Sequence, residues 1–510
     1  VPDQTVTRQI RDKIYVLTNR HLIYENQKYT AITIRQQMAL FSDDSSEVTI
    51  YNRLDHTSQE YSNEYSSSHH VGNTATLIQE YSKNTFPVLI IGETGTGKDK
   101  IARQLYENSP NNTAPLYIIN CELIGERKWN TLLNSIESPF AATNATFYIK
   151  SLASLSKTTG TLLAIMKLYD KGRFNLTDKI SDHLPFLQRT DKKDITIQEI
   201  LYHQSGLPSW IPFYQEAIDK DSYDGRLFSA RKDIHHPVQI GTTTWANPKF
   251  KFKSEYISPV KTGDYTVQIC DSLWLNRSFR KVIEEKIAEA PLKQKRYVYS
   301  DVGFILLGML VEQLAGMPME AYLQREFYEP MGLEHTGYLP LRRFAKSEIV
   351  PSNKDRFLRK ETLQGFVHDE ASAFFGGLAG NAGLFSTARD VARVYQMLLN
   401  GGEIDGQRYL SKETCQLFTT ETSKISRRGL GFDKPDADDP KKGNCAPVAP
   451  AGVYGHTGFT GTCAWVDPVN ELVYVFLSNR IYPDVTNRKL NQLHIRERIQ
   501  GAIYDAMKKK

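Results

Sequence analysis

Apolar and polar positions along this chain follow three successive patterns. In the first 75 residues, short β-like runs such as "KIYVL" and "EVTIY" give way to a polar, Ser-rich stretch, "TSQEYSNEYSSSHH", that reads as a linker. Next, "FPVLIIGETGTGKDKIARQLYENS" passes from a β-branched run through glycines into a helical pattern, which predicts strand, loop and helix. Beyond residue 150, "SLSKTTGTLLAIMKLYDKG" sets Leu162, Ile165, Met166 and Tyr169 on one helical face, with Gly172 as the stop. "YVYSDVGFILLGMLVEQLAG" predicts a strongly apolar helix, and "CAWVDPVNELVYVFLSNR" predicts two strands joined by the turn "DPVN". Thr387 and Asp390 have the spacing of a capping box for the helix that follows them.

Composition adds mainly exclusions. With 510 residues, 40% of them hydrophobic, the chain can bury a large core divided among several domains. Its apolar runs are far shorter than the ~20 residues that span a bilayer. The net charge of +5 is dispersed and gives no clear nucleic-acid signal. Five cysteines without a C-x-x-C pair predict neither a disulfide framework nor a zinc cluster. His69-His70 and His235-His236 have no third ligand at metal-ligand spacing, so no metal is expected. The first residues show no signal peptide, so localisation stays open.

The glycine-rich loop carries the first candidate chemistry. Gly92, Glu93, Thr94, Gly95, Thr96, Gly97, Lys98 and Asp99 follow the pattern G-x-x-x-x-G-K, with Asp99 where Ser or Thr is usual. Backbone N–H groups of such a loop cradle phosphate oxygens, and the next helix points its N-terminus at them. Residues 70 to 150 resemble the start of the AAA+ domain of sigma-54-dependent transcriptional activators, in which an acidic residue after the loop lysine is usual. The resemblance implies ATP binding at Gly92 to Asp99. Two departures stand against hydrolysis and sigma-factor contact. No G-A-F-T-G-A loop occurs in "ERKWNTLLNSIESPFAATNAT", and Lys150 and Ser151 occupy the positions where the family has its magnesium-binding acids.

Three dispersed motifs carry the second chemistry. Ser154 and Lys157 lie three apart on one helical face, Tyr299 and Asp301 precede the long apolar helix, and His456-Thr457-Gly458 opens a strand pair. A literal Lys261-Thr262-Gly263 precedes Tyr299 in the chain and is read as chance. With "ITIQEILYHQSGLPSW", "FYEPMGLEHTGY" and "GGLAGNAGLFSTARDVARVYQMLLNGG", these motifs make residues 152 to 510 resemble the superfamily of class C β-lactamases, D-Ala-D-Ala carboxypeptidases and esterases. The resemblance implies a cofactor-free serine hydrolase acting through an acyl-enzyme on an ester, amide, peptide or muropeptide. Ser154 would be the nucleophile, with Lys157 and Tyr299 moving its proton. His456, where Lys is common, would orient Tyr299 or the substrate and make the site sensitive to pH. The N–H groups of Ser154 and Phe459 would form an oxyanion hole worth about 3 kcal/mol per donor. Asp301 replaces the Asn that binds the substrate amide in β-lactamases, which disfavours a penicillin carboxylate.

The expected organisation is multidomain. Residues 1–75 have no assigned function, 76–150 form a truncated α/β P-loop fragment, and 151–510 form a β-lactamase-like domain with a central antiparallel sheet flanked by helices. A lobe at about 215–292, containing "KFKFK", is an insertion over the site. The two resemblances collide at "IKSLASLSKTTG", where the P-loop fragment takes the place of the hydrolase's first strands. That leaves an expected open sheet edge and three readings: a hydrolase with an N-terminal extension, an ATP-binding regulator, or a chimaera of two incomplete halves.

Overall fold

A computed structural model describes residues 155–508 and, before them, 4–10, 13–24, 27–36, 48–51, 78–79, 82, 98–109, 116–119 and 146–149. The chain divides into two compact units, Val1–Ser151 and Leu152–Lys510.

In the first unit, β1 (Gln4–Ile10), β2 (Lys13–Tyr24) and β3 (Gln27–Gln36) form an antiparallel meander in the order β1-β2-β3. The run "KIYVL" thus opens a much longer strand. A second sheet has β4 (Val48–Tyr51) antiparallel to β5 (Leu116–Ile119), which pairs in parallel with β6 (Thr146–Ile149). Helix α1 (Lys98–Glu107) begins at the lysine of the glycine-rich loop and buries Ala102 and Tyr106. Gly92, Glu93, Thr94, Gly95, Thr96 and Gly97 lie outside the described residues, as does the strand expected at "FPVLII".

The second unit is built around two helices that bury nearly their whole circumference. A π-turn over Lys157–Thr161 leads into α2 (Leu162–Asp170), in which Leu162, Leu163, Ala164, Ile165, Met166 and Leu168 are all buried. Leu162, Ile165 and Met166 of the expected face are buried, and Leu163 and Ala164 add burial beyond it, since a helix apolar all round belongs to a core. Gly172 closes it at φ +64°, as expected of a glycine stop. Residues 215–292 contain several short antiparallel pairings, among them β7 (Tyr265–Cys270) with β8 (Leu273–Asn276), followed by α3 (Phe279–Glu289). Lys261, Thr262 and Gly263 lie on an exposed turn there. Helix α4 (Asp301–Ala315) is buried continuously from Val302 to Val311. Among the described residues no single helix is long and apolar enough to cross a membrane.

Two glycines let backbone approach backbone beside α4. A Cβ on Gly380 would stand 1.8 Å from the Phe304 carbonyl oxygen, and one on Gly308 would stand 3.0 Å from Gly380 N. This contact fixes the Gly380–Asn381 backbone against the helix.

Helix α5 (Ala388–Leu399) has half of the expected capping box. Thr387 Oγ1 accepts the Asp390 N–H at 3.3 Å, but the Asp390 carboxylate instead accepts from His335 N at 3.0 Å and Thr336 Oγ1 at 2.9 Å. The acid ties down a preceding loop because that loop supplies two donors.

A three-stranded sheet near the C-terminal end of this unit has the order β9-β10-β11, with β9 (Tyr454–Thr457), β10 (Cys463–Asp467) and β11 (Leu472–Phe476) antiparallel. Asp467 holds the expected "DPVN" turn by accepting from Val469 N at 2.9 Å and Asn470 N at 3.2 Å. Alternation divides β10: Ala464 and Val466 join the main core. Cys463 and Trp465 instead pack in a second cluster that reaches Ile499 and Ile503 of α6 (Ile495–Met507). Among the described residues β11 has no partner along its outer edge.

Candidate active site

The three hydrolase motifs converge on Tyr299. Lys157, at the start of the π-turn, places Nζ 2.7 Å from Asp301 Oδ1. The same Nζ donates to the Asn381 carbonyl at 3.1 Å and lies 5.3 Å from the centroid of the Tyr299 ring. The close approach of Gly380 to α4 brings that carbonyl within reach. His456 enters from β9, its ring centroid 6.0 Å from that of Tyr299. Ser154 lies outside the described residues, one position before Leu155, where description of this unit begins.

Electrostatics distinguish the members of the site. Burial alone would lower the Lys157 pKa, but the Asp301 carboxylate and then Tyr299 outweigh it and hold the ammonium well above its ordinary value. Burial pushes the Tyr299 phenol up. The Lys157 cation pulls it back, Asp301 opposes that pull, Arg428 adds a further downward pull, and the net direction is up. Asp301 is thus engaged with Lys157, a different use from the amide recognition of the Asn it replaces.

His456 departs from expectation. It is buried, and its Nδ1–H donates to the Thr457 carbonyl at 2.6 Å, so that in the neutral ring Nε2 is an acceptor, with no hydrogen-bond partner among the described residues. Burial, followed by the Arg428 and Lys157 charges, holds its pKa down at about 3. An imidazole that stays neutral to so low a pH cannot give the site sensitivity near neutrality, so this expectation is corrected.

Thr457 ends β9, and Gly458 N donates to the Thr462 carbonyl at 2.8 Å, which closes a tight turn. Phe459 follows in that turn with its side chain 60% exposed. Its ring stacks on His368 at 5.6 Å, with the Arg480 guanidinium 4.7 Å from its centroid. Within the described residues its N–H makes no hydrogen bond, which keeps it available as a donor.

Two further residues at Tyr299 escape motif reading. His203 sits within the landmark "YHQSGLPSW" in a left-handed conformation, φ +56°, with its ring 4.6 Å from Tyr299. Its Nδ1 accepts the Ser300 N–H at 3.0 Å, so the neutral ring carries its proton on Nε2. Burial, then Arg428, His456 and Lys157, lower its pKa well below the ordinary range. Arg428 places its guanidinium 5.2 Å from the Tyr299 centroid and only 4% of the residue is exposed. The one available signal was the paired arginine in "RRGLGF", which looks like an ordinary charged loop. Elsewhere, His236 is engaged by Asp233 and the Arg226 carbonyl. Among the described residues no group of His, Cys, Asp or Glu side chains could hold a metal.

Comparison with known proteins gives two family matches. The β-lactamase family matches residues 151–497, and the sigma-54 interaction domain matches residues 65–144. An Escherichia coli protein named "Putative D-alanyl-D-alanine carboxypeptidase" is 29% identical over 377 residues, covering 70% of this chain and 74% of its own length. The N-acetylmuramyl-L-alanine amidase of Bacillus subtilis is 30% identical over 362 residues, covering 67% and 70%. A penicillin-binding protein homologue from Caulobacter crescentus aligns with a TM-score of 0.42 at 18% identity, covering 68% of this chain and 83% of that one.

Proposed function

Since the chain belongs to the β-lactamase family and is a serine hydrolase of that type, we propose that Ser154 is its nucleophile and that an ester, amide or peptide derived from the cell wall is its substrate. The observation that carries this reading is the meeting of Lys157, Asp301, Tyr299 and His456 at one place from three distant segments. Ser154 Oγ attacks the acyl carbonyl while Tyr299, in its phenolate form and hydrogen-bonded by the Lys157 ammonium, takes the hydroxyl proton. The N–H groups of Ser154 and Phe459 receive the developing oxyanion. The proton returns to the leaving amine or alkoxide, and water then releases the acyl group from Ser154. The names of the curated relatives favour a peptide or muropeptide as the acyl donor. A fluorophosphonate probe is expected to label the folded full-length chain at Ser154, and Ser154→Ala is expected to abolish labelling. Absence of label on the folded wild-type chain overturns the reading.

For the first unit, the match to the sigma-54 interaction domain and the start of α1 at Lys98 support nucleotide binding at Gly92 to Asp99. ATP bound there would meet the loop amides, Lys98 and the helix N-terminus. The residues after β6 are Lys150 and Ser151, so the segment that follows this strand offers no carboxylate for hydrolysis. A fluorescent ATP analogue is expected to bind the full chain and to lose affinity on Lys98→Ala. Equal binding by the variant overturns this second reading.

A further inference from the structure

His456 of the third motif is a buried imidazole whose Nδ1–H donates to the Thr457 carbonyl, and it brings no permanent positive charge to Tyr299. The structure nevertheless brings a second cation to Tyr299. Arg428 approaches from the loop after residue 420, with its guanidinium 5.2 Å from the Tyr299 centroid and 5.9 Å from that of Tyr297. Its Nε donates to the Tyr297 hydroxyl at 3.2 Å and lies 3.6 Å from Asp433 Oδ1. Asp433 is fully buried and is itself fixed by Arg427 Nε at 2.8 Å, by Asn444 Nδ2 at 2.7 Å, and by two backbone bonds to Gly455, the neighbour of His456. One nitrogen of Arg428, Nη1, is buried and has no hydrogen-bond partner among the described residues. A guanidinium left partly unsatisfied in the interior has a cost, so its retention beside a reacting phenol calls for an explanation.

We propose that Arg428 is a positioning residue that supplies the permanent positive charge at Tyr299 which the third motif, with His456, does not carry. The proposal rests on Tyr299 being the base of the reaction. The groups facing Tyr299 are Lys157 from the π-turn, Asp301 from α4, His203 from the loop before Ser205, His456 from β9 and Arg428. Of the two cations, Lys157 is neutralised by Asp301 in direct contact, whereas Asp433 divides its charge between two arginines. Burial pushes the phenol up, and Arg428 is one of the charges that act against it.

The test is the pH dependence of kcat/KM for p-nitrophenyl acetate in the full chain. Loss of the Arg428 charge raises the phenol pKa and moves the rising limb to higher pH. Arg428→Gln is expected to shift it by about one unit, which reads as a roughly tenfold loss at any pH on the limb. Arg428→Lys, which keeps the charge, is expected to stay within about threefold of wild type. Replacing Tyr299 by 3,5-difluorotyrosine, whose phenol is more acidic, is expected to restore the Arg428→Gln limb, which repair of a merely structural defect would not do. A limb unchanged in Arg428→Gln, an equal loss in Arg428→Lys, or failure of difluorotyrosine to rescue overturns the proposal. If Arg428→Gln does not fold, Arg428→Lys decides by its position relative to wild type. Turnover that survives Tyr299→Phe overturns the mechanistic reading itself, a result separate from the three above.

Discussion

Two cations reach Tyr299 at nearly equal distance from its ring, 5.3 Å for Lys157 Nζ and 5.2 Å for the Arg428 guanidinium, yet their surroundings differ in kind. Lys157 has one carboxylate partner in direct contact, and both side chains keep some exposure, 13% and 24%. Arg428 is tied to a carboxylate with no exposure, behind two tyrosines and a second arginine. The difference separates two tasks. Lysine can release its proton when its partner or solvent changes, whereas a guanidinium remains charged over the whole working range. In the proposed reaction the mobile proton therefore passes through Tyr299 with Lys157 as its paired ammonium, and the constant field comes from Arg428.

Breaking the Lys157 arm is expected to have the largest effect. Lys157→Met removes the donor that holds the phenolate and should lower kcat/KM about 10³-fold, measured with p-nitrophenyl acetate on protein of unchanged circular dichroism. A loss below tenfold would mean that the lysine only packs. The Arg428→Gln shift comes next, at about tenfold. Asp301→Asn should act in the opposite direction. Asp301 raises the Lys157 pKa and opposes the fall in that of Tyr299, so its removal lowers both, and the rising limb moves down by about one pH unit. Opposite displacement of the limb in the Arg428→Gln and Asp301→Asn variants would establish that the two arms act through the same titrating pair. Neither profile should show a step near pH 6.5, because His456 stays neutral to about 3.

The contrast also explains what could be read in advance. Lys157, Tyr299, Asp301 and His456 were legible because each belongs to a short motif whose spacing is set by one helix turn or one strand end. The "DPVN" turn and the Gly172 stop were legible because one residue decides each, the Asp467 carboxylate that accepts turn N–H groups and the glycine that takes a positive φ. Arg428 was not, since a loop arginine acquires its role only when tertiary packing buries it against Tyr297 and Tyr299. The protonation of His456 was hidden for a related reason. Sequence supplies an imidazole, but burial and neighbouring charges fix its state. The expected face of α2 is buried at Leu162, Ile165 and Met166, whereas the burial of Leu163 and Ala164 against other core elements is something periodicity within a single helix cannot report.

The contact between Gly380 and α4 places a backbone constraint beside Lys157. The carbonyl that takes a hydrogen bond from Lys157 belongs to the next residue, and no side chain between the two backbones could adjust if either moved. The alignment of the lysine thus depends on two missing methyl groups, those of Gly308 and Gly380. A methyl added at either glycine, neither of which touches a reacting atom, is therefore expected to displace the carbonyl that aligns Lys157 while leaving all the motif residues intact.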